Sequence, residues 1–242
     1  MDVALTAAGV VRESLPKGTV TTSDVFNAAS LGVGTEGELV RVYITGQDLM
    51  NAFEVDASVQ PLMSAAQLFF AGAEYSFNTN RMIFNKVDYA MLRRNDGTLE
   101  TIQKDKLYSV VTGMYCGQML GAVESTSKGL IAITPRDAEG NPIAADELVN
   151  YVIQDQKGDP VKEWYAIASY LLEMGGEMNE HYGATDGRKM VYSSLNPTKL
   201  LRNANKFTYI ILILLILLVA LIVFVAKRIA GKNRKKKQKP VA

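Results

Sequence analysis

The chain has very little of the two side chains that most often build catalytic centres. Its 242 residues include one cysteine, Cys116, and one histidine, His181. A single cysteine excludes an intrachain disulfide framework. A metal site or an acid–base pair usually needs several such residues, so we expect no catalytic metal or other cofactor to be held by this chain alone.

The glycine-rich segments lack the features of phosphate-binding loops. "LGVGTEG" and "MLGAVESTSKG" have no Lys-Ser/Thr ending, and neither lies in the strand–glycine–helix frame of a dinucleotide site. We therefore interpret both segments as ordinary turns.

Charge of one sign is missing from the C-terminal tail. After Ala226 the chain has eight of its 26 Lys and Arg residues and no acidic residue, whereas residues 1–226 have 18 basic and 25 acidic residues. The net charge of −7 on the larger part argues against nucleic-acid binding there. The tail itself could bind anionic lipid or nucleic acid, but beside an apolar helix a topological role is the better interpretation.

One long apolar run precedes this tail. Phe207 to Ala226, "FTYIILILLILLVALIVFVA", has no charged residue and is long enough to cross a hydrocarbon core of about 30 Å as a helix. The sequence therefore predicts one transmembrane helix at 207–226 in contact with membrane lipid. A fully buried core helix is the alternative, but a polybasic tail does not usually follow one.

The distribution of positive charge predicts the orientation in the membrane. Eight cations follow the apolar run, and only Lys199, Arg202 and Lys206 lie close before it. Positive flanks stay in the cytoplasm, so we predict a single-pass protein of the cell membrane with residues 1–198 extracellular and the C-terminus cytoplasmic. No signal peptide is recognisable near Met1. We therefore expect the native protein to extend upstream.

Strand and helix patterns alternate before the apolar run, which predicts a mixed α and β domain. Val3–Leu5 forms a short strand ending at a turn, "LVRVYITG" alternates apolar and polar residues before a helix, and Asp96-Gly97 predicts a hairpin. "LYSVVTG" predicts a strand followed by a short helix that contains Tyr115 and Cys116.

A soluble helix is predicted within "GDPVKEWYAIASYLLEMGG". Asp159 can cap it, Pro160 suits its first turn, and Gly175 can end it. The apolar residues Val161, Trp164, Tyr165, Ala168, Leu171 and Leu172 have helical spacing, so we expect one buried face that includes Trp164. The following "MNEHYGATDGRK" is interpreted as an exposed loop, which makes His181 a solvated loop residue.

Arg12 is the candidate for ligand contact that the residues themselves suggest. It follows Gly9-Val10-Val11 at the end of the first strand, where a guanidinium can project over a turn and pair with a phosphate or carboxylate. The alternative is a surface arginine that pairs with Glu13 or with water. Cys116 follows an aromatic residue in a predicted helix, a setting typical of a buried thiol.

A succession of segments resembles a known family. "DVALTAAGVVR", "LPKGTVTTSDVFNAASLG", "LVRVYITGQDLMNAFE", "FFAGAEYSFN" and "DKLYSVVTG" follow the order and spacing of the C-terminal domain of the 5′-nucleotidase family of metallophosphoesterases. The match covers residues 2 to 113, and we extend the resemblance to about residue 195. The resemblance implies an α+β fold, a mixed-sheet 5′-nucleotidase C-terminal-like domain, followed here by a single transmembrane helix.

The resemblance also implies partners that this chain lacks. In that family an N-terminal metallophosphoesterase domain holds two divalent metal ions and the catalytic residues, and the C-terminal domain binds the nucleotide and carries it to the metals. We therefore expect this chain to be the substrate-binding domain (residues 1–198), followed by a linker (199–206), the transmembrane helix (207–226) and a basic cytoplasmic tail (227–242). The catalytic domain is expected in the missing upstream part.

Few family binding residues carry over. Arg12 matches the turn arginine of the family. The family's second stacking motif, Gly-Gly-Asp-Gly-Phe/Tyr, has no counterpart after Thr112, but Tyr115 lies near its position, so Arg12 and Tyr115 are predicted to bind a nucleotide or another phosphoester. The asparagine and first glycine of that turn are Ala7 and Ala8 here, and the "Pro-Phe-Gly" with its stacking ring is Ser30-Leu31-Gly32. Gly72 and Tyr75 match a family strand and are expected to serve packing and a backbone bend.

Three functions remain open on the sequence. The first is the substrate-binding half of a membrane-anchored nucleotidase-type phosphohydrolase. The second is a noncatalytic extracellular binding module that kept the fold but lost nucleotide recognition, which the missing asparagine and aromatics favour. The third, an independent enzyme using Cys116 or His181, has little support.

Overall fold

The computed structural model describes residues 1–29, 37–59, 63–175, 178 and 180–237, with side chains except at 180–181 and 231–237. The chain divides into two units, Met1–Leu195 and Asn196–Ala242. The strands are β1 Val3–Ala7, β2 Leu39–Thr45, β3 Leu68–Ala71, β4 Ala73–Asn78, β5 Val87–Arg93, β6 Leu99–Thr101, β7 Leu107–Gly113 and β8 Lys189–Tyr192. The helices are α1 Thr22–Ala28, α2 Gly46–Val59, α3 Met114–Gly121, α4 Val123–Thr126, α5 Glu163–Glu173, α6 Pro197–Leu201 and α7 Lys206–Lys237.

Two four-stranded sheets form the first unit. Their orders are β2-β7-β1-β3 and β6-β5-β4-β8, and each contains both parallel and antiparallel neighbours. This confirms the predicted mixed-sheet α+β fold. The predicted hairpin at Asp96-Gly97 is also present, because β5 and β6 pair across it with Gly97 at a φ of +83°.

The chain passes from one sheet to the other through a bend at Gly72. This residue lies between β3 and β4 and has a φ of +84°, a conformation that glycine adopts without steric cost. A side chain there would also overlap the carbonyl oxygen of Asp2. The bend confirms the role predicted for Gly72, and Tyr75 is buried three residues later as expected.

The core lies where α2 meets both sheets. Phe53 of α2 packs edge-on against Phe70 at a centroid distance of 4.6 Å and stacks on Tyr75 at 4.7 Å. Val40, Val42 and Ile44 of β2 are buried, while Arg41 between them is exposed, as the alternating pattern predicts. Aromatic pairs of this kind stabilise a core beyond their buried area.

A buried ionic cluster holds β8 to this core. Asp56 of α2 is completely buried and accepts hydrogen bonds from the backbone N–H of Leu68 at 2.7 Å and the hydroxyl of Tyr75 at 2.6 Å. Lys189 of β8 donates to the same carboxylate at 2.7 to 2.9 Å. Strand β8 begins at Lys189, the last residue of the segment interpreted as a loop, and this cluster is one reason why a strand starts there.

The helix predicted from Asp159 begins later than expected. Asp155 and Asp159 close a turn, with Asp155 N donating to Asp159 O at 2.8 Å, and the first helical residue of α5 is Glu163. Residues 152–162 instead form a hairpin along the free edge of β2, where Leu39 N donates to Val161 O. The capping prediction was wrong because pairing with β2 keeps this segment extended.

The apolar stripe of α5 was only partly correct. Trp164 is half-buried and packs on α1, but Tyr165 is 50% exposed and Leu172 is 80% exposed. No residue of α5 is fully buried. The helix is therefore attached to the domain by one narrow face.

In the second unit, α7 contains a stretch, Lys206–Ala230, that is long and apolar enough to cross a membrane. None of the most apolar window is buried in the structure. The helix meets this criterion by its length and composition only, which is weak evidence of membrane anchoring.

Candidate functional site

The carboxyl ends of two parallel strands define the candidate site. Strand β1 pairs in parallel with β7, with Val3 opposite Val110 and Leu5 opposite Thr112. The segments that follow these strands therefore leave the sheet at the same edge. Ligands of open sheets with parallel strands commonly bind at such an edge.

Arg12 follows β1 at this edge. A single helical turn, Ala8–Val10, intervenes, and the backbone N–H of Arg12 donates to Ala28 O at the end of α1, at 2.8 Å. The side chain is exposed, and within the described part of the chain its guanidinium forms no ion pair, either with Glu13 or with another carboxylate. Its charge therefore faces solvent from a turn that the backbone fixes.

Tyr115 follows β7 at the same edge. It is the second residue of α3 and is 40% exposed. The start of this helix is fixed by a hydrogen bond from Met114 N to Glu38 O at 2.8 Å. The fold thus places both predicted ligand residues at the ends of neighbouring strands, one with a free charge and one with an accessible ring.

Cys116 lies beside Tyr115 but is buried. Only 4% of the residue is exposed, and burial raises the pKa of its thiol. A raised pKa disfavours the thiolate, which is the nucleophilic form. The structure therefore confirms a buried thiol. The side chain of His181, the other residue of the third hypothesis, lies outside the described part of the chain.

Sequence reasoning did not find Glu163, which lies against the start of α3. A methyl group added to Gly113 would meet the Glu163 carboxylate, with its carbon 2.7 Å away. Burial raises the pKa of the Glu163 carboxyl. Fifty residues separate Glu163 from Gly113 in the sequence, so no local pattern could have indicated this contact.

Helix α5 also brings aromatic rings to α1. Trp164 packs edge-on against Phe26 of α1 at 5.8 Å, and Tyr165 packs edge-on against Trp164 at the same distance. The turn of Arg12 is hydrogen-bonded to the end of the same helix α1. The sequence offered one signal for this arrangement, the unusual density of rings in "EWYAIASY".

Two of the positions at which this sequence differs from the family pattern, Ala7 and Ala8, lie among the described residues. Ala7 ends β1 opposite Leu68, and the N–H of Ala8 donates to Gln67 O at 2.8 Å. Both residues therefore contribute backbone rather than polar side chains to the turn. Ser30-Leu31-Gly32, in place of the family's stacking segment, lies outside the described residues.

Apart from this edge of the sheet, a groove runs along the exposed side of β2. It has a volume of about 500 Å³ and is lined by side chains of both charges, including Arg41, Asp137 and Glu139, together with Tyr43 and Tyr151. The Asp137 carboxylate is already used there, because it accepts hydrogen bonds from the backbone and side chain of Asn141. Neither predicted ligand residue lines this groove.

Within the described ranges, no group of three or more His, Cys, Asp or Glu side chains could hold a metal ion.

The fold just described is an α+β domain built from two mixed four-stranded sheets. The family model of the 5′-nucleotidase C-terminal domain matches residues 1–122, half of the chain, and the chain belongs to this family. This confirms the resemblance found in the sequence. No curated protein matches the chain.

The chain is similar to several solved structures, including the following two. A 5′-nucleotidase precursor from Thermus thermophilus has 19% identity and a TM-score of 0.55, over 80% of this chain and 32% of that one. An NAD nucleotidase from Haemophilus influenzae has 16% identity and a TM-score of 0.46, over 80% of this chain and 28% of that one. The chain thus spans about a third of the length of these proteins.

Proposed function

We propose that residues 1–195 bind a nucleotide or a related phosphoester as the substrate-binding domain of a nucleotidase-type hydrolase that acts in nucleotide catabolism. The observation that carries the proposal is the placement of Arg12 and Tyr115 after adjacent parallel strands. Membership of the 5′-nucleotidase C-terminal domain family supports it.

The two residues have complementary roles in this proposal. The exposed guanidinium of Arg12 forms charge-assisted hydrogen bonds with an anionic or hydroxyl-rich part of the ligand. The exposed ring of Tyr115 stacks on the base, an interaction that contributes about 1–3 kcal/mol per base in other proteins. Hydrolysis itself would need two divalent metal ions, which a separate metallophosphoesterase domain would hold. Such a pair of ions would stabilise the attacking and leaving oxygens of the phosphate ester.

We expect replacement of Arg12 by alanine to weaken nucleotide binding about 10- to 100-fold. One or two charge-assisted hydrogen bonds contribute about 1.5–3 kcal/mol, and each 1.4 kcal/mol corresponds to a factor of ten in Kd. The measurement is titration of the full chain in detergent micelles with AMP and GMP by calorimetry. Arg41→Ala, which removes an exposed arginine from the groove on β2, is the matched control and should leave the Kd unchanged.

Equal losses in the two arginine variants would show that the effect is general electrostatics and would contradict a site at Arg12. An absence of nucleotide binding to the unmodified chain would reject the substrate-binding proposal.

The second candidate is a noncatalytic binding module. It is favoured by Ala7 and Ala8, which leave the turn before Arg12 without the polar side chain of the family. This candidate predicts an intact fold that does not bind nucleotides, so the same titration separates the two functions.

The placement in the cell membrane is a further part of the proposal. Residues 206–230 span the bilayer, residues 1–195 lie outside the cell, and the basic tail lies in the cytoplasm. The support is the apolar helix and the excess of positive charge after it.

Labelling of introduced cysteines tests this orientation. In intact cells, a membrane-impermeant maleimide should label Lys17→Cys, at an exposed position, and should label Lys239→Cys only after permeabilisation. The parent chain is the control because its one cysteine, Cys116, is buried. The reverse labelling pattern would overturn the orientation, and labelling of both positions in intact cells would exclude a membrane-spanning helix.

A further inference from the structure

The Glu163 carboxylate is half-buried beside Gly113. Within the described part of the chain, no hydrogen-bond donor or cation contacts it, and burial is the cause of its raised pKa. Its oxygens are not among the fully buried polar atoms that lack a hydrogen bond, so they remain open to solvent. A carboxylate of this kind is suited to receive donors from a ligand.

The position of Glu163 is fixed by its neighbours in the chain. Lys162 forms an ion pair with Glu38 at 3.1 Å, and Leu39 N donates to Val161 O at 2.8 Å. Glu38 in turn accepts through its carbonyl from Met114 N, the first residue of α3. The Glu163 carboxylate is therefore held at the junction of β7 and α3. There it lies against Gly113, which is two residues before Tyr115 in the chain.

Two aromatic residues follow Glu163 directly on α5. Trp164 follows Glu163 directly and contacts Phe26 of α1, while Tyr165 is half exposed. Such rings provide flat apolar surfaces on which a base can stack. An acceptor beside exposed rings is the combination that recognises the edge of a planar heterocycle.

The chemistry of a carboxylate selects among such edges. Its two oxygens only accept hydrogen bonds, so they match a planar pair of N–H donors. Among the common bases, guanine presents such a pair at N1–H and the 2-amino group. Adenine presents one amino group beside the N1 acceptor, whose lone pair would face a carboxylate oxygen.

We propose that Glu163 is the base-selecting residue of the nucleotide site and that it favours guanine over adenine. This inference rests on the proposed function, because it assigns the specificity of the same site. The carboxylate accepts from N1–H and the 2-amino group of the base, and the base lies against the rings of α3 and α5.

The test is nucleotide titration of the full chain in detergent micelles, followed through the fluorescence of Trp164, the single tryptophan of the chain. We expect GMP to bind about 10- to 100-fold more tightly than AMP, as expected for one good bidentate pair. IMP, which lacks the 2-amino group, should lie between them.

Substitution of Glu163 should change the order of affinities. Glu163→Gln replaces one hydrogen-bond acceptor by a donor, so the side chain then matches the donor–acceptor edge of adenine. The affinity for GMP should therefore fall about 10-fold or more, while AMP should bind at least as tightly as before. Glu163→Ala should remove the discrimination. Glu173→Gln makes the same chemical change at an exposed position of α5 and should leave all three affinities unchanged.

Thermal unfolding of each Glu163 variant shows whether it is folded. The melting temperature should stay unchanged or rise, because the substitution removes a half-buried charge. Nucleotide binding that depends on Arg12 but shows no guanine preference, or a preference that survives Glu163→Gln, would overturn this inference and leave the proposed function standing. An absence of binding by all nucleotides would overturn both.

Discussion

Replacement of Asp56 by alanine is expected to lower the free energy of unfolding by about 3–5 kcal/mol, the usual loss when one partner of a buried ion pair is removed. The substitution leaves the Lys189 ammonium without its counter-ion, and it removes the acceptor for the Tyr75 hydroxyl and the Leu68 N–H. For a protein of this size the melting temperature should fall by about 6–20 °C. Calorimetry or fluorescence-monitored melting of the full chain in micelles measures this shift.

Asp155→Ala is the matched control for this variant. Asp155 also accepts two backbone hydrogen bonds, from Lys157 N at 2.8 Å and Asp159 N at 3.0 Å, but it does so in an exposed turn. Its loss should cost about 1 kcal/mol or less, because water replaces the missing acceptor. Similar effects of the two variants would contradict the claim that burial makes the Asp56 cluster important.

Lys189→Met separates the charge from the other hydrogen bonds of Asp56. This change leaves Asp56 buried with only neutral donors, so it should also destabilise the protein strongly. The double variant Asp56→Leu, Lys189→Met removes both charges and should recover much of the stability. Failure of the double variant to recover would show that the effect comes from lost packing around α2.

The second large effect is expected for Gly72→Ala, with a loss of about 2–5 kcal/mol. The positive φ costs an alanine about 1–2 kcal/mol, and forcing extra volume into a packed site costs about 1–3 kcal/mol more. The added methyl group would overlap the Asp2 carbonyl oxygen and lie 3.3 Å from its carbon. Thermal unfolding of the full chain is again the measurement.

Gly97→Ala isolates the conformational part of this effect, so the difference between the two glycine variants gives the steric part. Gly97 has nearly the same φ, +83° against +84°, but a methyl group there would meet nothing within 4 Å. It should therefore show only the conformational cost of about 1–2 kcal/mol. If the two glycine variants lose the same stability, the close approach of Asp2 to Gly72 has no energetic importance.

The Gly72 variant should also weaken ligand binding. Asp2 precedes β1, donates its N–H to Ser109 O on β7, and accepts from Ser109 N and Arg94 through its carboxylate. A shift of Asp2 would disturb the parallel pairing of β1 with β7, the two strands that precede Arg12 and Tyr115. Stability and binding are therefore coupled at this bend, although the bend lies at the opposite end of β1.

Local patterns predicted the elements that depend on neighbouring residues. The alternation in β2 predicted its buried face, Asp96-Gly97 predicted its hairpin, and "LYSVVTG" predicted both β7 and the start of α3. Each signal acts over a few residues because side-chain direction and turn conformation are set locally. The apolar run before the basic tail is likewise a property of composition alone.

Local patterns failed where a distant contact competes with an intrinsic preference. Asp159 and Pro160 are good helix-start residues, but pairing with the edge of β2 keeps them in a hairpin. Lys189–Tyr192 follows a glycine-rich loop with no clear strand pattern, yet it pairs in parallel with β4, more than a hundred residues earlier. Such pairing depends on the whole sheet.

The sequence by itself determined the family, the mixed composition of the domain, the apolar helix with its basic tail, and Arg12 and Tyr115 as candidates for ligand contact. Only the tertiary structure decided that these two residues follow adjacent parallel strands, that Lys189 reaches Asp56, and that Glu163 lies against Gly113. The reason is physical. Residue types and spacings fix local conformation, whereas strand order and helix packing depend on burial contacts between segments that are far apart in the chain.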